Sequence, residues 1–462
     1  MIRVRFAPSP TGIPHIGNTR TALYNFLFAR HHQGKLILRI EDTDRARLVP
    51  ESLPKILEIL KFVGIDWDEG PLVQSERLDI YQKLARQLID TGKAYYCFCS
   101  KERLAKLRGK GYDQRCLKLR SDQVKKLLAK KTPYVIRLKV PDQGVTAWDD
   151  LIQKRIEFKN ELIDDQVLLK SDGYPTYHLA VVVDDHLMKI THILRGVEWI
   201  SSTPKHILLY QAFGWEIPQI GHFPVILGPD KAKLSKRHGA KSVLDYRDEG
   251  YLPEALVTFM AYLGWSYQDN SELLPINRLI DEFDLKHIQS GNPIFDLAKL
   301  DYFNAKLIRS LPLPKLIQLI KPFLKIKISD TLINQIMPLI AERLVKLSEV
   351  NELTEYFVTQ PKIDASAVLK ESGMPAQETA KYLSQVSETV SQIATWSVVN
   401  LETKLHKLQL KLKLKPRPAF MTIRLAVTGR PATPPLFDVL YILGKAEVIK
   451  RLTYAQKTLS RG

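Results

Sequence analysis

The sequence predicts an α/β doubly wound, Rossmann-type domain that carries an inserted α+β segment and is followed by an all-α region. Three observations support this fold class. Strands and helices alternate through residues 1–94, the alternation returns after about residue 176, and amphipathic helices with short connections fill the chain beyond about residue 310. The chain has 462 residues, which is enough for about three domains.

The N-terminal segment has the pattern of strand, loop, helix and strand. Residues 2–7 alternate like a strand, and a loop rich in Pro and Gly leads into a helix predicted over residues 18–32 and ended by Gly34. The apolar strand 35–40 then delivers Glu41 to its carboxyl end. Doubly wound folds bind their ligands at that end of the sheet.

Two more helices follow, and then the βα alternation breaks. The helices are predicted over residues 51–63 and 75–91, with Ser75 as the N-cap of the second and Gly92 as its stop. Residues 95–175 contain short strands, turns and a lysine-rich helix, so we interpret them as an insertion.

The alternation resumes with strands predicted at residues 179–183, 190–194 and 223–227 and a helix at residues 203–213. Beyond these elements the chain has helical periodicity. In residues 408–415 leucines alternate with polar residues as in a strand, although the neighbourhood is helical, so the sequence leaves both states open.

The composition excludes a membrane or disordered protein. Hydrophobic residues make up 45% of the chain and charged residues 26%, as in globular proteins. No apolar run approaches the ~20 residues that span a bilayer. We therefore expect no membrane segment, no signal peptide and a cytoplasmic protein.

The charge is unevenly distributed. The net charge is +18, and residues 301–462 carry 24 Lys and Arg against 13 Asp and Glu. A basic surplus concentrated in one part of a chain is typical of nucleic-acid binding, although it also occurs as a device for solubility.

Two separated segments indicate phosphate chemistry. Residues 8–18 (Pro-Ser-Pro-Thr-Gly-Ile-Pro-His-Ile-Gly-Asn) form a turn that opens a helix, where Gly17 allows close approach and His15 can donate to a phosphate. Far downstream, residues 233–237 (Lys-Leu-Ser-Lys-Arg) supply a lysine-rich loop that can close over phosphates.

Several motifs together resemble the bacterial-type glutamyl-tRNA synthetases, which are class I aminoacyl-tRNA synthetases. They include Val-Arg-Phe-Ala-Pro-Ser-Pro-Thr-Gly at 4–12, His-Ile-Gly-Asn at 15–18 and Arg-Ile-Glu-Asp-Thr-Asp at 39–44. Further motifs lie at residues 172–177, 183–186, 227–230, 233–237, 252–256, 293–297 and 427–430. The match covers most of the chain, and unrelated segments agree in order and spacing.

The resemblance implies a two-step reaction. L-glutamate attacks ATP to give glutamyl-adenylate and pyrophosphate, and the 3′-terminal adenosine of a tRNA then takes the glutamate. His15 and Lys236 are the implied catalytic residues, and Mg²⁺ is the implied metal on the ATP phosphates. The implied ATP-binding residues are Pro8, Ser9, Pro10, Thr11, Gly12, His15, Gly17, Asn18, Lys233, Ser235, Lys236 and Arg237.

By the same resemblance, glutamate contacts Arg5, Ala7, Ser9, Glu41, Tyr177 and Arg195. Arginine prefers a carboxylate to a neutral amide, which favours glutamate over glutamine, and Glu41 is the matching acid for the ammonium group.

Three cysteines lie within one short segment of the insertion. Cys97, Cys99 and Cys116 resemble the zinc-binding segment of some relatives, with Tyr112 as an unusual fourth ligand. Three reduced cysteines in a structural turn are the alternative, and the sequence leaves the two open.

The resemblance also implies the domain organisation. Residues 1–94 and 176–228 form the catalytic domain, 95–175 the tRNA acceptor-binding insertion, 229–310 a stem-contact region with the lysine-rich flap, and 311–462 the helical anticodon-binding region. Arg343 is a candidate anticodon contact. The implied partner is tRNA(Glu), with tRNA(Gln) left open as an additional or preferred substrate, and we expect a monomer.

Overall fold

A computed structural model describes residues 1–107, 111–234, 241–267 and 273–460. It divides into two compact units. The first comprises Met1–Arg247 and Pro253–Leu300, and the second comprises Asp248–Leu252 and Asp301–Gly462.

The strands are β1 Arg3–Phe6, β2 Lys35–Ile40, β3 Glu69–Val73, β4 Ala94–Cys97, β5 Val135–Leu138, β6 Val145–Asp150, β7 Lys154–Lys159, β8 Val167–Leu169, β9 His192–Gly196 and β10 Gln219–Phe223. The helices up to residue 310 are α1 Ile16–His31, α2 Ser52–Phe62, α3 Leu78–Asp90, α4 Lys101–Lys106, α5 Ser121–Ala129, α6 Tyr177–Leu187, α7 Thr203–Phe213, α8 Val243–Asp248, α9 Pro253–Ala261, α10 Ile276–Glu282 and α11 Leu297–Ser310.

The remaining helices are α12 Leu313–Ile320, α13 Asp330–Ile340, α14 Val350–Val358, α15 Ala365–Ser372, α16 Ala376–Ser391, α17 Val398–Lys411, α18 Pro416–Thr428, α19 Leu436–Leu443 and α20 Lys445–Leu459. Among the described residues, no helix combines the length and the apolar character that a bilayer crossing requires.

Parallel strands form the centre of the first unit. Strand β2 pairs in parallel with β1 on one side and with β3 on the other, and β9 pairs in parallel with β10. Thr191, just before β9, donates its N–H to the carbonyl of Arg3 at 2.9 Å, which joins the second pair to β1. The carboxyl ends of β1, β2 and β9 therefore meet at one edge.

The strand predicted at residues 179–183 is wrong, because these residues lie within helix α6. All five are buried with at most 1% exposure. A short apolar run that is buried all round has no periodicity to separate helix from strand. The two neighbouring strands are real but displaced: β9 is His192–Gly196, and β10 ends at Phe223, where the predicted strand began.

Ser75 is not the N-cap of α3, because a 3₁₀ turn over Gln74–Arg77 precedes the helix. The Ser75 N–H donates instead to Asp42 Oδ1 at 2.8 Å, which ties this turn to the end of β2. Gly92 is confirmed as the stop, since it follows the C-cap residue Thr91 with φ at +70°.

The insertion is α+β, as predicted. Strands β4, β5 and β8 form an antiparallel sheet, and β6 and β7 form a hairpin in which Asp150 pairs with Lys154. Helices α4 and α5 lie between β4 and β5 in the chain.

Every regular element among the described residues of the second unit is a helix, which confirms the all-α prediction. Of the stretch that the sequence left open, residues 408–411 form the end of α17, and residues 412–415 form the turn and loop that lead to α18. Buried Arg451 on α20 joins neighbouring helices, because it donates to the carbonyls of Val427 and Thr359 at 3.0 Å each. These carbonyls lie at the ends of α18 and α14, where helices leave acceptors unpaired.

Candidate active site

A cavity of about 470 Å³ opens at the carboxyl ends of β1, β2 and β9. The six residues that the resemblance assigns to glutamate all line it: Arg5, Ala7, Ser9, Glu41, Tyr177 and Arg195. Four of the residues assigned to ATP alone also line it: Pro8, Thr11, Gly12 and Asn18. Residues that lie far apart in the sequence therefore line the same cavity.

A second, smaller cavity of about 70 Å³ adjoins the first and shares Asn18 and Gly196 with it. His15, Gly17 and Lys233 line this second cavity. Pro10 is buried in the same loop. Ser235, Lys236 and Arg237, the remaining predicted residues of the lysine-rich loop, lie outside the described residues.

His15 caps the N-terminus of helix α1. Its Nδ1 accepts the backbone N–H of Gly17 at 3.0 Å, and Asn18 Oδ1 accepts the backbone N–H of His15 at 3.3 Å. Because Nδ1 is an acceptor, the neutral ring carries its proton on Nε2. The helix end thus orients an N–H donor for a ligand.

The charge state of His15 fits this role. Solvent reaches the ring, but the surrounding cleft removes part of its hydration, and this burial together with nearby Lys233 lowers the pKa of His15. At neutral pH the ring therefore acts as an uncharged donor beside the positive end of the helix dipole.

Arg5 and Glu41 are held by one buried network of charges. Asp185 Oδ1 accepts Nε of Arg5 at 3.1 Å and Nη1 of Arg39 at 2.7 Å. Arg39 also donates from Nη2 to Glu41 Oε1 at 2.9 Å. Burial by itself raises the pKa of Asp185, but Arg5 and Arg39 outweigh it and lower that pKa. Asp185 therefore stays ionised between two cations.

The negative charge of Glu41 is only partly balanced by the cations of this network. Burial raises the pKa of Glu41, against the opposing effect of Arg39. A buried carboxylate of this kind gains from a further cation, and an ammonium group that enters the cavity would supply one.

Arg195 presents a second buried cation to the cavity. Its guanidinium donates to Thr203 Oγ1 at 2.8 Å, to His222 Nε2 at 3.2 Å and to Tyr177 OH at 3.3 Å, and Nη1 lies 3.3 Å from His206 Nδ1. These described partners are hydroxyls and ring nitrogens rather than carboxylates. A ligand carboxylate would provide the charge that they lack.

A pair of histidines beside Arg195 makes a pH-dependent contribution to stability. His178 Nδ1 lies 3.0 Å from His206 Nε2. Burial, with Lys205 and Arg195, lowers the pKa of His178 to about 4, and burial with Arg195 lowers that of His206. The unfolded chain therefore binds protons below pH 6.5 that the folded chain does not, and stability is lost as the pH falls from 6.5 towards 4.

We predict that His178→Gln makes thermal stability less sensitive to acid. Between pH 7 and pH 5, wild type loses about 2 kcal/mol of folding free energy through this one side chain, given ~1.4 kcal/mol per pKa unit. Thermal melts at the two pH values measure the difference. Exposed His287→Gln is the matched control and should retain the wild-type pH dependence.

Comparison with known proteins agrees with the fold. The family model for the catalytic domain of tRNA synthetases class I (E and Q) matches residues 1–302, and the model for an anticodon binding domain matches residues 315–456. The chain therefore belongs to the class I tRNA synthetases.

Individual relatives show which family of this class the chain belongs to. A glutamate–tRNA ligase of Dehalococcoides mccartyi is 44% identical over 99% of this chain and 98% of its own length, and glutamate–tRNA ligase 1 of Caldanaerobacter subterraneus is 43% identical over the same shares. The crystal structure of a glutamate tRNA ligase from Elizabethkingia meningosepticum in complex with its amino acid is 35% identical, has a TM-score of 0.90 and covers 99% of each chain. Within its class, the protein is a member of the glutamate–tRNA ligase family.

Proposed function

We propose that this ligase activates L-glutamate with ATP and Mg²⁺ at the cavity between β1, β2 and β9, and transfers it to the 3′-terminal adenosine of tRNA(Glu). The observation that carries the proposal is the convergence of Arg5, Arg195 and Glu41 on one cavity that adjoins His15. The two cations suit the two carboxylates of glutamate, and the anion suits its ammonium group.

Selection against glutamine follows from the same charges. Arg195 is buried and its described partners are uncharged, so a neutral amide would leave its charge uncompensated. A carboxylate at this position forms a charge-assisted hydrogen bond, which is stronger than a neutral one. The proposed site therefore distinguishes the two amino acids by charge rather than by size.

His15 and the N-terminus of α1 form the proposed phosphate wall. The neutral His15 ring donates from Nε2, and Lys233 lies on the same small cavity. Activation needs little covalent help, because positioning and stabilisation of developing negative charge supply the acceleration. Lys236 is proposed to stabilise the transition state and the leaving pyrophosphate.

We predict that Lys236→Ala lowers the rate of glutamyl-adenylate formation about 10²-fold or more, because it removes a cation from the developing charge. Pyrophosphate exchange in the presence of tRNA measures the rate, and binding of tRNA should remain nearly unchanged. Lys231→Gln, a charge-neutralising substitution at an exposed lysine of the same segment, is the matched control. An unchanged exchange rate in Lys236→Ala would remove Lys236 from this role.

The other parts of the chain are proposed to bind the tRNA. Residues 95–175 would hold the acceptor end, 229–310 the stem and 311–462 the anticodon, and the enzyme is proposed to be a cytoplasmic monomer. Arg343, the candidate anticodon contact, is exposed at the end of the 3₁₀ turn Ala341–Arg343 that follows α13.

The choice of tRNA is tested directly by aminoacylation. Purified tRNA(Glu) and tRNA(Gln) transcripts are charged with labelled glutamate and then with labelled glutamine. The proposal expects glutamate on tRNA(Glu), and transfer to tRNA(Gln) would add or substitute that tRNA as a substrate. Transfer of glutamine, or of neither amino acid, would contradict the proposal.

The cysteine cluster of the insertion fits a zinc ion. The Sγ atoms of Cys97, Cys99 and Cys116 all lie within 4.8 Å of one another, and Tyr112 OH lies 3.3 Å from Cys97 Sγ and 3.6 Å from Cys99 Sγ. Ligand atoms on a tetrahedral zinc ion are separated by about 3.8 Å. Hydrogen bonds from Cys116 and Tyr112 lower the pKa of Cys97, which favours a thiolate.

We propose that these four residues bind structural Zn²⁺ and predict about one zinc per chain in protein purified without chelator. Cys116→Ser should lose the metal and lower the thermal midpoint, because a structural zinc site contributes folding free energy. Elemental analysis measures the stoichiometry. A metal-free wild type with an unchanged melting temperature in zinc would identify three reduced cysteines instead.

A further inference from the structure

The orientation of Arg195 depends on a histidine that is itself held by the insertion. His222 on β10 is fully buried, and its Nε2 lies 3.2 Å from Arg195 Nε. On the other side of the ring, His222 Nδ1 lies 2.5 Å from Asp150 Oδ2. Asp150 is the last residue of β6, so it belongs to the inserted hairpin rather than to the parallel sheet.

The surroundings of Asp150 keep its carboxyl group ionised, and this determines which nitrogen of His222 carries a proton. Its Oδ1 accepts three backbone N–H groups, from Ile152 at 3.1 Å, Gln153 at 2.9 Å and His222 at 3.1 Å, and Oδ2 accepts Nε1 of Trp148 at 3.2 Å. These donors stabilise the ionised carboxylate. An ionised carboxylate only accepts hydrogen bonds, so the atom that faces it, His222 Nδ1, carries a proton.

This arrangement fixes the tautomer of His222. With the proton on Nδ1, the neutral ring has a bare Nε2, which can accept the N–H of Arg195 Nε. A proton on Nε2 would instead face the N–H of Arg195 Nε and could be donated only to Thr203 Oγ1, 3.2 Å away, so the hydrogen bond with Arg195 would be lost at a cost in free energy. Burial and the charge of Arg195 also disfavour the doubly protonated ring.

We propose that Asp150 and His222 are positioning residues that hold the Arg195 guanidinium towards the glutamate cavity, Asp150 by fixing the tautomer that makes His222 an acceptor. The inference rests on the proposed contact between Arg195 and glutamate. It extends that site into the insertion, because Leu151 N–H also donates to the Ile220 carbonyl at 2.9 Å and fastens the hairpin to β10.

Asp150→Asn tests the proposal with little change in shape. The three backbone N–H groups around Oδ1 require the amide oxygen in that place, so the amide NH₂ must face His222 Nδ1, and the hydrogen bond from Trp148 Nε1 is lost as well. Nδ1 then becomes the acceptor, the proton moves to Nε2, and the hydrogen bond from Arg195 is lost. We expect the KM for glutamate in tRNA(Glu) charging to rise about 10-fold, which corresponds to one lost buried hydrogen bond, while the KM for ATP stays within about twofold.

Asp149→Asn is the matched control. Asp149 is the neighbouring residue of the same strand, but it is exposed and pairs with exposed Arg155 at 3.3 Å. Its substitution removes the same charge from the hairpin and should leave the KM for glutamate at the wild-type value. An equal rise in both variants would mean that the charge of the hairpin, and not the tautomer, is responsible.

The histidine tautomer has its own spectroscopic readout. In ¹⁵N-histidine-labelled wild type, His222 should show a protonated Nδ1 and a bare Nε2, and the pattern should reverse in Asp150→Asn. His222→Asn is a second variant. Its amide can still donate to Asp150, but it provides no acceptor for Arg195 Nε, so this substitution should also raise the KM for glutamate. If one variant fails to fold, the other variant and the wild-type spectrum decide the question.

The outcomes separate this inference from the proposed function. A protonated Nε2 in wild type, or an unchanged KM for glutamate in folded Asp150→Asn or folded His222→Asn, overturns the positioning role. If Arg195→Ala also leaves that KM unchanged, the proposed glutamate contact of Arg195 fails as well. If Arg195→Ala raises it strongly while the two positioning variants do not, the contact stands and only the further inference is lost.

Discussion

Replacing Arg195 by alanine is expected to raise the KM for glutamate about 10²- to 10³-fold, because truncating one partner of a buried, hydrogen-bonded charge pair costs ~2–5 kcal/mol. Arg195 is 6% exposed and lines the cavity, so water cannot readily replace the lost contact. The KM for ATP should change little, since Arg195 is not among the residues assigned to ATP and does not line the cavity beside His15, where the phosphates are proposed to bind. Steady-state charging of tRNA(Glu) at varied glutamate measures both constants.

Two further variants make the Arg195 experiment specific. Arg195→Lys keeps the charge but loses the planar fork, so it should recover only part of the affinity. Arg155→Ala removes an exposed arginine of the insertion and should leave the KM for glutamate unchanged. An Arg195→Ala enzyme with the wild-type KM would exclude Arg195 from the glutamate site.

Asp185→Ala is expected to destabilise the first unit by about 3–5 kcal/mol, because it leaves two buried guanidinium groups without their shared carboxylate. Asp185 is 1% exposed and accepts from both Arg5 and Arg39. Glutamate activation should be lost at the same time, since Arg5 and the Arg39–Glu41 pair both lose their support. Thermal or urea unfolding, monitored together with pyrophosphate exchange, tests both effects.

The control for Asp185→Ala is Glu58→Ala, because Glu58 is also a carboxylate with two cationic partners but is much less buried. Glu58 accepts from Lys55 at 2.8 Å and from Arg247 at 2.6 Å, but solvent reaches 37% of its side chain. Exposed ion pairs contribute little, because solvent and salt screen them. Glu58→Ala should keep the wild-type thermal midpoint, and an equal loss in both variants would show that Asp185 acts as an ordinary surface partner.

The sequence predicted those parts of the fold and site that depend on local pattern. The turn at residues 8–18, the parallel strands β1 and β2 and the helical second half all have periodicity or turn residues that can be recognised one segment at a time. The assignment of Arg5, Glu41 and Arg195 to one cavity depended on the resemblance. Their common place on that cavity wall agrees with it, whereas their contacts with glutamate stay predictions.

What the sequence did not predict is how buried charges are paired. Asp185 lies in a stretch next to the one mistaken for a strand, and its partners Arg5 and Arg39 lie 180 and 146 residues away. Hydrogen bonds over such separations leave no periodic signal. Asp150 and His222 were missed for the same reason, since each residue alone resembles an ordinary polar residue at the end of a strand.

The bond between Asp150 and His222 has a consequence for protein engineering. Domain exchange between ligases usually assumes that an insertion can be moved as a self-contained module, with breakpoints placed where the chain leaves and re-enters the host. Here a graft of residues 95–175 would carry the carboxylate into a new host and leave its imidazole behind. Chimeras should therefore transfer Asp150 and His222 together, or retain the native hairpin and exchange only the sheet and helices around it.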